Sequence, residues 1–557
     1  MTLKIPFASP RDEWSRLAIF AAAFSSTVVL VQLPIHLWAG NSADFQSSPW
    51  QLLGLGGAGV ALVSAAFVGL LCRLPTGPRR WSACAICAVG LLAWAQGNFA
   101  IGEMNLLDGQ HAPIEFASGR SAWTIVAALL TVIIAVAVSR APGTATFAMG
   151  LLAAGLYISS IVSILMSPAR RPPYPSHASL YRFSSRENVL VVVLDGLQSS
   201  IAADVIRGTS SIANALDGFQ YYPDTAGAAR TTFLSLPAIH SGAVYSSDQR
   251  PGAYFVDAIK RRSFMNRFAA AGFDTVLVNP VESVCPSRVG LCLTGSELLD
   301  TAAARLTRES LQLVDLSLFR ASPGVLKRYI YNDGDWLTAG SIGVPHNRWH
   351  VYEGRQLLEE LGNRMTVDDG RPTLKFVHLF STHPPYVLND DCRTYSTGSL
   401  AHVAAQAKCS LLALVTLLDR LKAADAYDNT VIVVMADHGI DPDAYGVAGD
   451  DTAAAWLHLA GAANPLFLLK PRAIRGPLRQ MSDAIHVADT GKLVCAQSRT
   501  CRAARPVESI ATSPARIRRF NDYEWRQEFW HLRTVDKITT YEIRGPVLER
   551  SSWSRRP

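Results

Sequence analysis

Residues 188–196 read Asn-Val-Leu-Val-Val-Val-Leu-Asp-Gly: six apolar residues in succession, four of them valine, closed by Asp195 and Gly196. An unbroken apolar run of this length, rich in β-branched residues and ended by a turn pair, is a strand buried on both faces. Such strands belong to parallel sheets covered by helices. Three further runs have the same character: 274–279 (DTVLVN), 374–380 (LKFVHLF) and 430–435 (TVIVVM). Between the last two, residues 400–424 set apolar side chains at helical spacing with Asp, Arg and Lys on the opposite side, the crossover helix of a strand-helix-strand unit. An α/β domain with a mainly parallel central sheet follows.

In open α/β sheets, ligands bind outside the carboxyl ends of the strands, and here those ends carry titratable groups. Asp195 follows the first run, Asp437-His438-Gly439 follows the last, and His378 and His383 lie within and just after a third (FVHLFSTHPPY). Carboxylate plus imidazole is a donor set suited to Zn²⁺ or Mn²⁺. Read singly, each has a plain structural role: Asp195-Gly196 as a turn, His378 as a core histidine, His383 as a loop residue. Jointly they are more specific, because a charged pair after six apolar residues is costly to bury unless paired or bound to metal. Between the first and second runs lies Arg230-Thr231-Thr232-Phe233-Leu234-Ser235-Leu236-Pro237. A threonine at a helix start caps it, or, beside a dication and an anion-binding helix N-terminus, serves as an activated nucleophile. Thr232 is the candidate.

The N-terminal third is of another kind. The chain has 557 residues and 60.3 kDa, is 49% hydrophobic and 17% charged, and has a mean hydropathy of +0.16. These values exclude a wholly disordered or collagen-like polypeptide. The shortage of charge is concentrated at the start, where apolar runs at 17–40, 51–72, 81–101, 122–139 and 145–167 suit a bilayer core, which takes about 20 residues per crossing. Five transmembrane helices are expected. Lys4, Arg11 and Arg16 precede the first, Arg73, Arg79 and Arg80 separate the second and third, and Arg140 follows the fourth, so the N-terminus is placed inside and everything after 168 outside. Pro172-Pro173-Tyr174-Pro175 is a stiff linker. Six cysteines lie in the outer part, and their spacing favours Cys285 with Cys292, Cys392 with Cys409, and Cys495 with Cys501, disulfides of an oxidising compartment. The net charge of +7 makes no case for nucleic acid. The basic, aromatic stretch 516–557 is expected as a solvated tail or a segment near anionic headgroups.

These residues resemble the alkaline phosphatase/sulfatase superfamily, and within it the membrane-anchored phosphoglycerol and phosphoethanolamine transferases of the lipoteichoic acid synthase type. Thr232 with Ser235 and Pro237 is similar to that family's T-x-x-S-x-P nucleophile segment, Asp195 to an acidic metal ligand, Asp437 and His438 to the paired ligands after the last core strand, and His378 and His383 to its two substrate-site histidines. The resemblance implies a divalent metal (Zn or Mn) held by Asp195, Thr232, Asp437 and His438, catalysis by Thr232, His383 and His378, and substrate binding by Arg267, His458 and Ser235. Arg267 enters through Ser263-Phe264-Met265-Asn266-Arg267, which is similar to a substrate-contacting segment of that family. Departures are Asp195 where the family usually carries Glu, and the lack of a C-x-P-x-R sulfatase motif in the outer region, which disfavours sulfate-ester hydrolysis.

The implied layout is a transmembrane domain at 1–167, a linker at 168–186, an extracytoplasmic sulfatase-like catalytic domain at 187–515 and the basic C-terminal segment at 516–557. The implied reaction takes a phosphoglycerol or phosphoethanolamine headgroup from a membrane phospholipid, through a phospho-threonine, to an envelope glycan or lipid, at the outer face of a bacterial inner membrane. A phosphodiesterase in which water replaces the acceptor, and a non-catalytic envelope protein, are the alternatives.

Overall fold

The first apolar run forms one helical rod, Glu13–Gly40, in which Val28–Gln32 winds with π geometry. In the computed structural model, the described residues are 13–42, 45, 47–71, 73–99, 121–167, 178–279, 284–294, 302–332, 336–341, 349–392, 400–440, 452–504, 516–535 and 537–556. Helices Pro49–Leu71, Thr76–Phe99, Ser121–Arg140 and Pro142–Met166 occupy the other four runs. Four of the five are long and apolar enough to cross a membrane; the Ser121–Arg140 helix contributes an apolar stretch only over Leu129–Arg140 among the described residues.

The chain partitions into two units, Met1–Pro172 with Asp300–Asn347, and Pro173–Leu299 with Arg348–Pro557. The return of 300–347 to the helical unit departs from a single cut near residue 168. Its cause is visible in the packing: Leu313, on the helix Ala302–Ala321, is buried among Ile35, Trp38, Leu52 and Ile164, and the Ser47 amide donates to Glu309 Oε2 at 2.8 Å.

The second unit is built on an eight-stranded sheet. In chain order its strands are β1 (Asn188–Leu194), β2 (Gln220–Tyr221), β3 (Asp274–Asn279), β4 (Leu291–Thr294), β5 (Thr373–Leu379), β6 (Thr430–Met435), β7 (Phe467–Lys470) and β8 (Arg479–Gln480), and across the sheet the order is β8-β2-β7-β6-β1-β5-β3-β4. The five strands from β6 to β4 are parallel, whereas β7 runs antiparallel to both β6 and β2. The sheet is therefore mixed. The alternation of side chains across a strand divides β1 between two cores. Leu190, Val192 and Leu194 face the helices Ser199–Gly208, Trp349–Asn363 and Val403–Ala423, and Val189, Val191 and Val193 face the helices Thr232–Ser241, Pro251–Lys260 and Phe264–Ala270. Covering both faces is what permits an unbroken apolar strand.

Residues 516–556 are not a solvated tail. They contain a three-stranded antiparallel sheet, Arg518–Asp522, Thr539–Ile543 and Trp553–Arg555. Phe520, Ile543 and Val547 pack on Ala226, Ala462 and Ala463. The fully buried Arg518 guanidinium meets both oxygens of Asp224 at 3.1 Å, the paired geometry that makes a buried charge tolerable. The disulfides are Cys285–Cys292, Cys392–Cys409 and Cys495–Cys501.

Candidate active site

Parallel strands end on the same side of a sheet, so their register determines which side chains meet. Val193 of β1 pairs with His378 of β5 and with Met435 of β6, and Val278 of β3 pairs with Val377 of β5. Asp195 and Asp437 lie two residues past Val193 and Met435 respectively, His378 sits beside Val193, and Asn279 follows Val278, so the four residues gather at four adjacent strand ends. His378 Nε2 lies 2.8 Å from Asp195 Oδ2, and its Nδ1 lies 3.1 Å from Asn279 Oδ1. The Asp195 backbone is pinned on both sides, its amide donating to Leu379 O at 3.0 Å and its carbonyl accepting from Thr382 Oγ1 at 2.8 Å.

The glycines after the two aspartates have separate reasons. Gly196 adopts φ +70°, a left-handed turn that glycine enters without strain, and its amide thereby donates to Asp437 Oδ1 at 3.2 Å. Gly439 meets the Thr452–Ala462 helix so closely that a Cβ would sit 2.0 Å from Gly461 O, and its amide donates to Ala462 O at 2.8 Å.

Thr232 opens the helix Thr232–Ser241. Its Oγ1 donates to Asp195 Oδ2 at 3.1 Å and lies 3.3 Å from His438 Nε2. Thr231, its neighbour, instead places Oγ1 2.6 Å from Tyr523 OH. Of the two threonines, Thr232 faces the aspartates.

The fit of a cation to this cluster rests on two orphaned atoms. Asp195 Oδ1 and Asp437 Oδ2 are buried and have no hydrogen-bond partner among the described residues, and each is 3.6 Å from His438 Nε2. One ligand atom from each of Asp195, Asp437 and His438 lies within 4.8 Å of the others. Two buried carboxylate oxygens that converge without donors of their own are costly, and a dication at their meeting point removes that cost. Two carboxylate oxygens, an imidazole nitrogen and a hydroxyl suit Zn²⁺ or Mn²⁺. Burial alone would raise the Asp195 carboxyl; the His378 hydrogen bond and the charges of His383, His378 and His438 outweigh it and hold the group well below the usual carboxylate range.

The other expected residues fall in different places. Ser235 is fully buried and donates to the backbone carbonyl of Asp437 at 2.6 Å, so it fixes the ligand loop rather than facing a substrate. His378 is likewise fully enclosed, and acts on Asp195. His383 lies half-buried on the loop after β5, with Nδ1 2.7 Å from Pro384 O. Arg267 is on the Phe264–Ala270 helix, whose cap Ser263 holds His240 Nδ1 at 2.9 Å, tying that helix to the one begun by Thr232. His458 lies on the Thr452–Ala462 helix and is not one of the three clustered residues.

The family model for sulfatases matches residues 187–490, more than half of the chain. The chain belongs to the sulfatase family. No curated protein matches it. Solved structures similar to this sulfatase-family chain include a protein in the alkaline phosphatase superfamily from Vibrio parahaemolyticus, at 12% identity over 68% of this chain and 83% of that one, TM-score 0.38. They also include the lipoteichoic acid synthase LtaP from Listeria monocytogenes, at 11% over 68% and 82%, TM-score 0.35. The integral membrane protein lipooligosaccharide phosphoethanolamine transferase A (EptA) from Neisseria meningitidis is similar at 12% over 87% and 96%, TM-score 0.30.

Sequence reasoning on this sulfatase-family chain missed two supporting residues. Asn279 is the last residue of β3 and Asp195 directly follows β1, and the same strand-end logic applied to DTVLVN would have found it. Gln406, on the crossover helix Val403–Ala423, is fully buried; its Nε2 donates to His383 O at 2.9 Å and its Oε1 accepts from the Val387 amide at 2.9 Å. A lone Gln on the apolar face of a helix was the available signal.

Proposed function

We propose that the protein transfers a phosphoglycerol or phosphoethanolamine headgroup from a membrane phospholipid to an envelope glycan or lipid through a phospho-Thr232 adduct. The observation that carries this reading is the Thr232 hydroxyl at a helix N-terminus, 3.1 Å from Asp195 and 3.3 Å from His438.

Asp195, Asp437, His438 and the Thr232 hydroxyl would hold the divalent ion, Zn or Mn, which when bound lowers the hydroxyl's pKa and offsets phosphoryl charge. Thr232 Oγ attacks phosphorus in line, the P–O bond to diacylglycerol breaks, and the glycerol oxygen leaves with a proton. The N-terminus of the Thr232–Ser241 helix favours the anionic headgroup there. In the second step an acceptor hydroxyl attacks the phosphothreonine, the P–Oγ bond breaks and Thr232 is restored. His383, half-buried on the loop after β5, is the residue assigned to proton exchange with the incoming and leaving oxygens. His378 keeps the Asp195 carboxylate oriented throughout, and Ser235 does the same for the Asp437 backbone. The helices Glu13–Gly40, Pro49–Leu71, Thr76–Phe99 and Pro142–Met166, with Ser121–Arg140 as a fifth crossing, would keep the enzyme in the bacterial inner membrane with its catalytic unit outside. Confinement there raises the effective concentration of a lipid donor.

The test is to incubate the full-length protein with headgroup-labelled phosphatidylglycerol and phosphatidylethanolamine, with and without acceptor glycan, and to analyse the Thr232 peptide by mass spectrometry. Label on Thr232 from one lipid names the donor. Label on neither threonine with either lipid overturns the reading, and release of free headgroup phosphate irrespective of acceptor replaces the transferase with a hydrolase.

A further inference from the structure

The C-terminal sheet module lies beyond the span 187–490 that the family model matches, yet it reaches the nucleophile segment residue by residue. Ala229 and Asn521 form a parallel bridge, with the Asn521 amide donating to Ala228 O and the Arg230 amide donating to Asn521 O, both at 3.0 Å. One position on, Arg230 Nε meets Asp522 Oδ1 at 2.5 Å. One further, the Thr231 hydroxyl meets the Tyr523 phenol at 2.6 Å. Three consecutive residues of the module thus hold, in register, the three residues that lead into Thr232. Past Thr232 the module closes in again, with the Trp530 ring edge-on to Phe233 at 4.9 Å between centroids.

The beginning of a helix leaves amides without intrahelical partners, and an N-cap side chain normally takes one of them. Thr231 stands at the N-cap in extended conformation, φ −133° and ψ 161°, but its side chain makes no capping hydrogen bond. Its hydroxyl is turned instead to the buried Tyr523 phenol. That contact occupies the hydroxyl placed to cap the helix and keeps Thr231 turned away from Asp195.

We infer that Asn521, Asp522 and Tyr523 of the C-terminal module clamp residues 229–231 and so position Thr232 for reaction. Tyr523 is a positioning residue, since it acts through Thr231 and touches no reacting atom. The inference rests on the reading of Thr232 as nucleophile. It also explains why one threonine of an adjacent pair faces Asp195 and His438 while the other does not.

The experiment uses full-length protein in nanodiscs containing headgroup-labelled phosphatidylglycerol and phosphatidylethanolamine, with Tyr523→Phe, Thr231→Val and the double variant. Amide hydrogen exchange in the peptide covering 230–236 is expected to quicken about tenfold in Tyr523→Phe, the size of one lost buried hydrogen bond. Labelling of Thr232 should slow about tenfold at saturating lipid with KM unchanged. The double variant should be no slower than either single one, because both remove the same hydrogen bond, and Thr231→Ser should behave as the unmodified protein. Asp522→Asn, at a partly exposed side chain, is expected to show the same effects at smaller size and serves if Tyr523→Phe does not fold. Unchanged exchange at 230–236, or additive losses in the double variant, overturns the inference. Absence of any label on Thr232 in the unmodified protein overturns the proposed function instead, and the exchange measurement still decides whether the module holds the segment.

Discussion

Asp195 and His378 meet at 2.8 Å with neither side chain exposed to solvent. A buried carboxylate ordinarily loses its charge; here the imidazole supplies one partner and leaves the second oxygen, Oδ1, for the cluster. Replacing His378 by Phe strands that carboxylate. Breaking such a buried pair costs about 3–5 kcal/mol, and loss of a group that orients a metal ligand lowers metal affinity about 10–100-fold. Titration calorimetry with Mn²⁺ or Zn²⁺ and thermal unfolding of His378→Phe check both, and a variant as stable and as metal-avid as the unmodified protein contradicts the assignment.

Two converging buried carboxylates penalise the metal-free protein. Asp437→Asn is expected to raise the stability of the metal-free form by about 1 kcal/mol, a gain typical of relieving a functional site, while removing its response to metal. The unmodified protein should gain about 2.7 kcal/mol when metal is present at a hundred times its Kd. Unfolding midpoints with chelator and with added metal, compared between the two proteins, provide the measurement.

Burial, and after it the charge of His378, pushes the His240 imidazole down to about 3. An unfolded histidine binds a proton near pH 6.5, whereas folded His240 stays neutral until about pH 3, so its contribution is present above pH 6.5 and lost as the pH falls toward 3. The expected slope is about 1.4 kcal/mol per pH unit in that window. Denaturant unfolding of His240→Gln at pH 7, 6 and 5 should show one proton's worth less decline than the unmodified protein; parallel declines would place the sensitivity elsewhere.

Gln406 holds the loop that carries His383. Gln406→Ala leaves the Val387 amide and the His383 carbonyl without their partner, at about 1–3 kcal/mol for each buried group. Headgroup transfer should fall by an order of magnitude or so, with metal affinity unchanged because no ligand is touched. Reduction of the neighbouring Cys392–Cys409 bond, which ties the same helix to the same loop, is expected to act in the same direction; equal metal and activity losses in Gln406→Ala would assign it to the cluster itself.

How much of this was readable beforehand follows from the lengths of the elements. The valine-rich runs became β1, β3, β5 and β6 because a strand of six or seven apolar residues has few other fates. β2 and β8 have two residues each, too short to show a period. β7 sits in the apolar stretch around 464–469, where strand and helix look alike, and its antiparallel direction is a property of topology. The C-terminal strands escaped because their apolar side is sparse: Arg518 points inward and is neutralised by Asp224, so a buried arginine looked like surface charge. The Asp195, His438 and Thr232 juxtaposition was accessible through strand-end logic and resemblance. Which of the two adjacent threonines turns to Asp195 was not legible, because Thr231 is held by a residue nearly 300 positions away, Tyr523.

The three disulfides join each cysteine of the second unit to the next one along the chain, with separations of 7, 17 and 6 residues. A ribosome delivers these thiols in order, and short loops of this size close within about a microsecond. Each thiol therefore encounters its mate before any later rival emerges, and the earlier thiols are already paired. Of the 15 pairings that six cysteines allow, the native one is the first that vectorial emergence offers, so oxidation can proceed step by step with no reshuffling of wrong partners.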